Sequence, residues 1–306
     1  MRVSQSRILL SVSFLVLGAT INCKADPFTY TTFQYPGTTI TIALGINNQG
    51  QVVGLAAEVP GASVDPVGFI YDNGSFIPLL FGNSGTQATG INNLGIVVGT
   101  SGAGSFLYDS HTGIYSPFAG GGATGINDLG QIVGGNYFFD GSTFHTINYP
   151  GADSTSVSGL NNAGQIVGTY QLGGHSFGFL DNAGTFTSIA FPGASSTHVM
   201  DINNLGEIVG WYSDSTGGHG FIDSGGHFIS FDVPRLLLDN NFTTANGLND
   251  YGEIVGTTAR GTGTQLFGFV ATPTPEPGTL ALAATGLLVV ALIARPRLPR
   301  WQHVRL

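Results

Sequence analysis

The hydrophobic and polar positions of this chain follow one pattern that recurs six times. It is the phrase Gly-Ile-Asn-Asn-x-Gly-x-Val-Val-Gly, in which short apolar runs flank a polar turn. With small changes, the phrase begins at Gly45, Gly90, Gly125, Gly159, Asp201 and Gly247. The steps of 34 to 46 residues between these positions are close to the length of one propeller blade of four short strands.

Each copy of the phrase predicts the end of one strand, a tight hairpin and the start of the next strand. In the first copy, Asn47, Asn48 and Gly50 are residue types that tolerate the positive φ angles of tight turns. Gly54, the last residue, allows two strands to approach closely. The predicted turn residues of the six copies are Asn47, Asn92, Asn127, Asn161, Asn203 and Asn249. A calcium site in these loops is an alternative, although no Asp-x-Asp-x-Asp-Gly run occurs.

A second phrase, such as Gly68-Phe69-Ile70 followed by a turn and Phe76, completes a unit of four strands. The segment Phe33–Gly37 resembles the end of a fourth strand but precedes the first unit, whereas the last unit lacks its fourth strand. We therefore predict an all-β, six-bladed β-propeller of four-stranded blades, in which the N-terminal strand closes the last blade and removes exposed edges. A β-solenoid is the alternative.

The two ends of the chain predict export. Arg2 and Arg7 precede an apolar run from Ile8, which is typical of a secretory signal peptide and predicts a signal helix over 1–25. The predicted repeat domain covers 26–270 and a proline-rich linker covers 271–277. The uncharged segment 278–294 is long enough for a transmembrane helix, and the basic tail 295–306 would stay cytoplasmic. An uncleaved N-terminal anchor and a plain C-terminal anchor are the alternatives.

The C-terminal segment resembles a known sorting signal. Pro275, Glu276 and Pro277, then the apolar helix, then Arg295, Arg297 and Arg300 resemble the PEP-CTERM family signal. The resemblance implies recognition by an exosortase at the inner membrane, cleavage near the Pro-Glu-Pro motif, and delivery to the cell surface or an exopolysaccharide matrix. Before or without cleavage, the C-terminal helix would anchor the protein in the inner membrane.

The repeats resemble a second family. His175-Ser176-Phe177 and His219-Gly220-Phe221 are similar to the His-Ala-Phe phrase of the HAF family of extracellular repeats. Other units lack the histidine, so the sequence gives no shared ligand role to it. The resemblance implies an extracellular setting and no defined activity.

The charge distribution excludes nucleic acid as a partner. Of nine basic residues, only Arg235 and Arg260 lie in the repeat domain, which carries all the acidic residues except Glu276. Binding to phosphates requires clustered lysine and arginine, so the repeat domain should repel nucleic acid.

No motif predicts a catalytic residue, a metal ligand or a cofactor. His219 and His227 lie on successive predicted strands and could approach each other. Five carboxylates in variable segments could line a pocket, namely Glu58, Asp65, Asp153, Asp214 and Asp239. Three aromatic residues could stack on sugar rings or be ordinary strand residues, namely Tyr170, Trp211 and Tyr212.

Two functional classes follow from these patterns. The first is a non-catalytic binding or structural protein of the cell surface or matrix, with extracellular polysaccharide as a possible partner. The alternative is an extracellular enzyme acting on glycans, a glycosidase or lyase, with its site at the propeller mouth. An enzyme would show a deep pocket with convergent carboxylates or histidines and a perturbed pKa.

Overall fold

The computed structural model describes residues 27–58, 65–82, 84–234, 242–260 and 265–274. The predicted signal helix, the Pro-Glu-Pro motif, the transmembrane helix and the basic tail lie outside these residues. In the described residues, all 24 regular elements are β-strands, and the chain is arranged as a β-propeller. The described residues contain no helix long and apolar enough to cross a membrane.

Four sheets each contain four antiparallel strands that follow one another along the chain. They are β6 to β9 (Thr86–Ile91, Ile96–Ser101, Gly104–Asp109, Ile114–Phe118), β10 to β13 (Ala123–Ile126, Ile132–Gly134, Tyr137–Phe139, Phe144–Thr146), β14 to β17 (Ser154–Leu160, Gln165–Leu172, His175–Asn182, Thr185–Ile189) and β18 to β21 (Ser196–Ile202, Glu207–Ser213, Gly218–Ser224, His227–Phe231). In each of these sheets, one copy of the repeated phrase starts within the first strand.

A fifth sheet has eight strands and joins the two ends of the described chain. It contains β2 to β5 (Ile40–Ile46, Val52–Ala57, Val67–Asp72, Ser75–Leu79), β22 to β24 (Thr243–Leu248, Ile254–Arg260, Gln265–Pro273) and β1 (Phe28–Phe33). Strand β1 runs antiparallel to β24 and pairs with it from Phe28 opposite Pro273 to Phe33 opposite Gly268. The first strand therefore completes the sheet of the last repeat. Strand β24 continues to Pro273, beyond residue 270, because β1 provides it with a partner there.

The first strand of each repeat contains a β-bulge, and a glycine of the second strand lies opposite it. In β2 the register shifts between Ala43 and Gly45. A Cβ on Gly54 would overlap the carbonyl oxygen of Ile42 and meet the Phe69 ring at 2.8 Å. The same arrangement recurs at Gly99, Gly168, Gly210 and Gly256. The final glycine of the phrase thus allows the close approach that the sequence predicts.

The core consists of apolar clusters that join neighbouring sheets. In each of five repeats, the third strand carries one fully buried phenylalanine. These residues are Phe69, Phe106, Phe179, Phe221 and Phe269. Val167 on β15 packs in one cluster with Val199 and Phe221 of the following sheet. Burying a phenylalanine contributes about 2–3 kcal/mol, so contacts between sheets supply much of the stability. This packing holds the six repeat turns at fixed positions around the centre.

Candidate functional site

The six repeat turns converge on one cavity of about 70 Å³ at the centre of the propeller. The second polar residue of every Asn-Asn or Asn-Asp pair lines this cavity, namely Asn48, Asn93, Asp128, Asn162, Asn204 and Asp250. We call this set the polar ring. It lies at the end of the molecule where the first strand of every repeat ends.

The first asparagine of each pair holds its own turn and links it to the next repeat. The Oδ1 of Asn47 accepts hydrogen bonds from the backbone N–H groups of Gln49 (3.1 Å) and Gln51 (3.0 Å). Its Nδ2 donates to the backbone oxygen of Asn92 at 3.2 Å. The positive φ in this turn belongs to Gly50, at 78°, and not to either asparagine. The asparagines therefore form this turn through side-chain hydrogen bonds, and only the glycine uses a positive φ angle.

These links form a closed circuit through all six repeats. The Nδ2 group of each first asparagine donates to the backbone oxygen of the next, in the order Asn47, Asn92, Asn127, Asn161, Asn203, Asn249 and back to Asn47. All six side chains are buried. The asparagines that the sequence predicts as turn residues thus also join neighbouring repeats, a role that local turn chemistry could not predict.

The polar ring is a second closed circuit of hydrogen bonds around the cavity. The backbone N–H of Asn48 donates to the Oδ1 of Asn93 at 2.8 Å, and equivalent bonds continue around the ring until Asp250 donates to Asn48 at 2.9 Å. Asp128 and Asp250 are three places apart in this ring of six, so they lie on opposite sides. The only carboxylates of the ring therefore face each other across the cavity.

Each ring carboxylate receives two side-chain amides. The Oδ2 of Asp128 accepts from the Nδ2 groups of Asn93 (3.0 Å) and Asn162 (2.9 Å). The Oδ2 of Asp250 accepts from Asn48 (2.9 Å) and Asn204 (3.0 Å). Burial raises the pKa of Asp250, but the hydrogen bonds from Asn48 and Asn204 outweigh burial and hold that pKa below 3.8. Asp250 is therefore ionised at neutral pH.

Asp201 also lines this cavity and is the one exception to the glycine that starts the repeated phrase. Its Oδ1 accepts from the backbone N–H of Ile202 (2.9 Å), and its Oδ2 accepts from that of Leu248 (3.2 Å). Burial raises the pKa of Asp201 to about 7, and the negative charge of Asp250 adds to this effect. At neutral pH the ionised Asp250 therefore shares the cavity with Asp201, which is about half protonated.

Asp201 provides a link to the next repeat that a hydroxyl group provides in other repeats. Hydroxyl groups at the bulges donate to a backbone oxygen of the next repeat, as Thr89 does to Ala123 (2.7 Å) and Ser158 to Val199 (2.8 Å). The equivalent residue in β18 is Met200, which has no such donor. Asp201 makes the link to the next repeat instead, through the backbone N–H of Leu248. The replacement of the usual glycine in the phrase was the sequence signal for this residue.

Exposed apolar residues surround the polar ring. The turn residue that follows each ring position is Gln49, Leu94, Leu129, Ala163, Leu205 or Tyr251. The four large apolar side chains are 57% (Leu94), 65% (Leu129), 69% (Leu205) and 69% (Tyr251) exposed. We call these four residues the apolar rim. The sequence analysis missed them, although the variable position of the phrase is a large apolar residue in four of six copies.

The aromatic residues considered for sugar stacking lie elsewhere. Tyr170 and Tyr212 are buried, and their rings stack at 3.7 Å on Tyr149 and Phe191 respectively. The sugar-stacking hypothesis is therefore wrong for these two residues, which are ordinary strand residues of the core. Trp211 stacks on the ring of His198 at 4.0 Å.

His219, near the start of β20, lies in a group of polar residues. Its Nδ1 is 2.9 Å from an oxygen of Asp232, and its Nε2 is 2.9 Å from the Oγ1 of Thr216. Hydrogen bonds from Thr216 lower the pKa of Asp214 to about 2. His227 pairs with Ser224, at the other end of strand β20, so the two histidines do not come together. Among the residues that the structure describes, no three acidic, histidine or cysteine side chains could hold a metal ion.

The carboxylates of the variable segments do not converge on the cavity. Glu58, Asp65 and Asp153 are exposed, and the last of these accepts the backbone N–H of Gly173 at 2.9 Å. Asp214 belongs to the group around His219, and Asp239 lies outside the described residues. The sorting residues Pro275, Glu276, Pro277, Arg295, Arg297 and Arg300 also lie outside them. The carboxyl groups that meet at the cavity come from the repeated phrase itself.

Comparisons with known proteins find similar solved structures but no similar sequence. No protein-family model matches the sequence, and no curated protein matches it. Among solved structures, YCF48 bound to D1 peptide is 12% identical, with a TM-score of 0.44 over 82% of this chain and 98% of that one. PorZ, a surface component of the type-IX secretion system of Porphyromonas gingivalis, is 14% identical, with a TM-score of 0.44 over 77% of this chain and 41% of that one.

A third solved structure gives a similar likeness. The extracellular domain of BT4673 from B. thetaiotaomicron is 8% identical, with a TM-score of 0.43 over 79% of this chain and 40% of that one. The chain thus spans less than half of the PorZ and BT4673 chains. All three likenesses are too weak to carry an argument about function.

Proposed function

We propose that this protein is an exported cell-surface or exopolysaccharide-matrix protein whose repeat domain binds or organises other envelope components without catalysis. The two ends of the chain support export: the apolar segment after Arg2 and Arg7, and the Pro-Glu-Pro motif with its apolar helix and arginine cluster. The resemblance to the PEP-CTERM signal adds an exosortase as sorting partner and the inner membrane as the place of sorting.

The repeat domain is proposed to have six blades. Within the eight-stranded sheet, a single parallel pair, Ile40 with Leu266, joins β2 to β5 with the group of β22 to β24 and β1. Counting these two groups as separate blades gives one blade for each copy of the repeated phrase. The circuit of first asparagines, with one residue from each repeat, supports the same count.

The size of the central cavity is the observation that carries the non-catalytic proposal. Small-molecule sites in proteins usually enclose about 300–1,000 Å³, whereas the polar ring encloses about 70 Å³. The ring carboxylates are also held by the side-chain amides beside them. A glycosidase requires two carboxyl groups on either side of a sugar linkage, and a cavity of this size has no room for a sugar ring.

A glycan-acting enzyme is the second candidate, and one observation favours it. Asp201 and Asp250 line the same cavity, and their surroundings move their pKa values in opposite directions. Such a pair is typical of a general acid and a general base. If the cavity widens when a glycan binds, Asp201 could donate a proton while Asp250 activates water.

The two candidates can be separated with the purified repeat domain, residues 26–274. A glycan array should show binding partners, and a turnover screen should then show no cleavage of the bound glycans. Turnover that Asp201→Asn and Asp250→Asn both abolish would establish the enzyme instead.

Sorting is tested separately in a host with and without an exosortase. Replacing Pro275, Glu276 and Pro277 with alanine should retain the protein in the inner-membrane fraction. An unchanged distribution between membrane and surface would contradict the sorting proposal.

A further inference from the structure

We propose that the polar ring and the apolar rim together form a docking surface for a partner protein. The partner would insert one lysine or arginine side chain into the cavity and place apolar residues beside it on the rim. This inference rests on the proposed non-catalytic binding function and gives that function a partner class.

The apolar rim supplies the first argument. Leu205, Tyr251 and Leu129 are the three most exposed large apolar side chains among the described residues. They occupy equivalent turn positions around one opening, where Gln49 shows that a polar residue fits equally well. Apolar groups at the centre of an interface and aromatic anchors such as tyrosine are typical of protein-binding surfaces.

The charge of the opening supplies the second argument. The ionised Asp250 lies opposite Asp128, and no lysine or arginine side chain occurs among those that the structure describes. Each ring carboxylate accepts three hydrogen bonds: Asp128 from the backbone and side chain of Asn93 and from Asn162, and Asp250 from the equivalent groups of Asn204 and Asn48. A carboxylate can accept about four, so each retains room for an N–H of an incoming cation.

The dimensions of the cavity determine how much of the partner can enter. A site for one water molecule needs about 10–15 Å³, so a cavity of about 70 Å³ accommodates an ammonium or guanidinium group with a short alkyl part. It does not accommodate a sugar ring. The rest of the partner must therefore lie across the rim.

The chemistry of the rim favours a polypeptide over a polysaccharide. Three of its four residues are leucines, which have no flat ring face for a sugar to stack on. Leucines pack well against the aliphatic and aromatic side chains of another protein. A lysine or arginine with apolar neighbours is complementary to both the ring and the rim.

Selection from a random heptapeptide phage library on the purified full-length protein tests this inference. The expected result is enrichment of peptides with a lysine or arginine next to leucine, isoleucine, methionine or phenylalanine. No enrichment, or enrichment of peptides without a basic residue, would overturn it.

Variants then locate the surface with the best selected peptide as probe. Leu129→Ser/Leu205→Ser should weaken binding at least about tenfold, and Asp128→Asn/Asp250→Asn should weaken it similarly and reduce its salt dependence. Ile114→Ser is the matched control: it removes a side chain that is 61% exposed on β9, away from the opening, and should leave affinity unchanged. Equal affinity in the rim variant and the control would show that the peptide binds elsewhere.

The same rim variant distinguishes this inference from the proposed function. Glycans that bind the wild-type protein but not Leu129→Ser/Leu205→Ser would assign the surface to polysaccharide and overturn the peptide inference, while non-catalytic binding would stand. Turnover of a glycan would instead overturn the proposed function itself.

Discussion

Asp201 shows how one residue of a repeat can differ in chemistry from its five counterparts. The glycine at the equivalent position of the preceding repeat, Gly159, leaves space for it, because a Cβ there would lie 2.6 Å from the Oδ1 of Asp201. The sequence could predict the turn asparagines and the closely packed glycines, because both depend on local backbone geometry. It could not predict the two circuits of hydrogen bonds or the burial of Tyr170, because both depend on neighbouring sheets.

Asp201→Asn should remove a pH dependence of stability. A pKa raised from 3.8 to about 7 means that ionised Asp201 destabilises the folded state by on the order of 4 kcal/mol. This cost is absent below about pH 4, grows as pH rises toward 7, and is then constant.

Urea unfolding of both proteins at pH 4 and pH 8 measures this difference. The stability of the variant relative to the wild type should increase by several kcal/mol between the two pH values. A relative stability that does not change with pH would contradict the assigned protonation of Asp201.

Gly256→Ala should destabilise the protein by about 3 kcal/mol, because the new methyl group would overlap the carbonyl oxygen of Thr244 and press on the Phe269 ring. Gly121→Ala is the control, since Gly121 has an ordinary φ and an added Cβ there would meet no atom within 4 Å. It should change the free energy of unfolding by less than about 0.5 kcal/mol. Similar denaturation midpoints for the two variants would be evidence against the close approach at Gly256.

The strands and hairpins are the elements that the sequence predicts best. Turn residues between short apolar runs mark hairpins directly, and the displaced Phe33–Gly37 segment indicates a strand that pairs far away in the chain. The strand itself ends at Phe33, before the Tyr35-Pro36-Gly37 turn. The three-residue strands β11, β12 and β13 were harder to anticipate, because the third repeat lacks the Gly-Phe phrase of the others.

A disulfide can test the pairing of β1 with β24. Thr29 and Thr272 are exposed partners in this pair, and opposite residues of antiparallel strands lie within the range that a disulfide spans. In a chain without residues 1–25, which contain the only native cysteine, Thr29→Cys/Thr272→Cys should cross-link under mild oxidation within one molecule.

Gel mobility with and without reductant measures the cross-link. Thr29→Cys/Thr187→Cys, whose second residue lies on β17 in another sheet, should remain reduced. A cross-linked dimer in place of a cross-linked monomer would mean that β1 pairs with β24 of a second molecule.

At the scale of the whole molecule, the ends of the described chain are joined in two ways, by strand pairing and by the hydrogen bonds of the repeat turns. Strand β1 joins β24, and Asn249 donates to the backbone oxygen of Asn47 at 3.2 Å. The sequence suggests the first junction through its spare strand. It gives no sign of the second, because the bonded groups are 202 residues apart and meet only when the sheets are arranged around a centre.

Asn249→Ala tests whether the hydrogen bond from Asn249 to Asn47, which closes the circuit of first asparagines, contributes as much to stability as the other bonds of that circuit. The variant leaves the backbone N–H groups of Tyr251 and Glu253 without their partner, and the backbone oxygen of Asn47 keeps only its bond from Gly50. Leaving buried polar groups unpaired costs about 1–3 kcal/mol each, so we expect a loss of on the order of 3 kcal/mol in chemical denaturation.

Asn127→Ala removes the equivalent bonds within the chain, to Asn161, Leu129 and Gln131. The two variants should agree within about 1 kcal/mol. A much smaller effect for Asn249→Ala would mean that the repeats form an open arc in solution.

The pairing of β1 with β24 also sets an order of events as the protein is made. Of the strands that the structure describes, β1 is synthesised first and its partner β24 last, and the hydrogen bond from Thr29 to Thr272 spans 243 positions. Contacts between such distant segments form slowly, and an unpaired strand edge invites association with other chains. The nascent chain therefore exposes the unpaired edge of β1, which is prone to aggregation, for most of its synthesis. Any chaperone that assists the chain should be needed until the last repeat emerges.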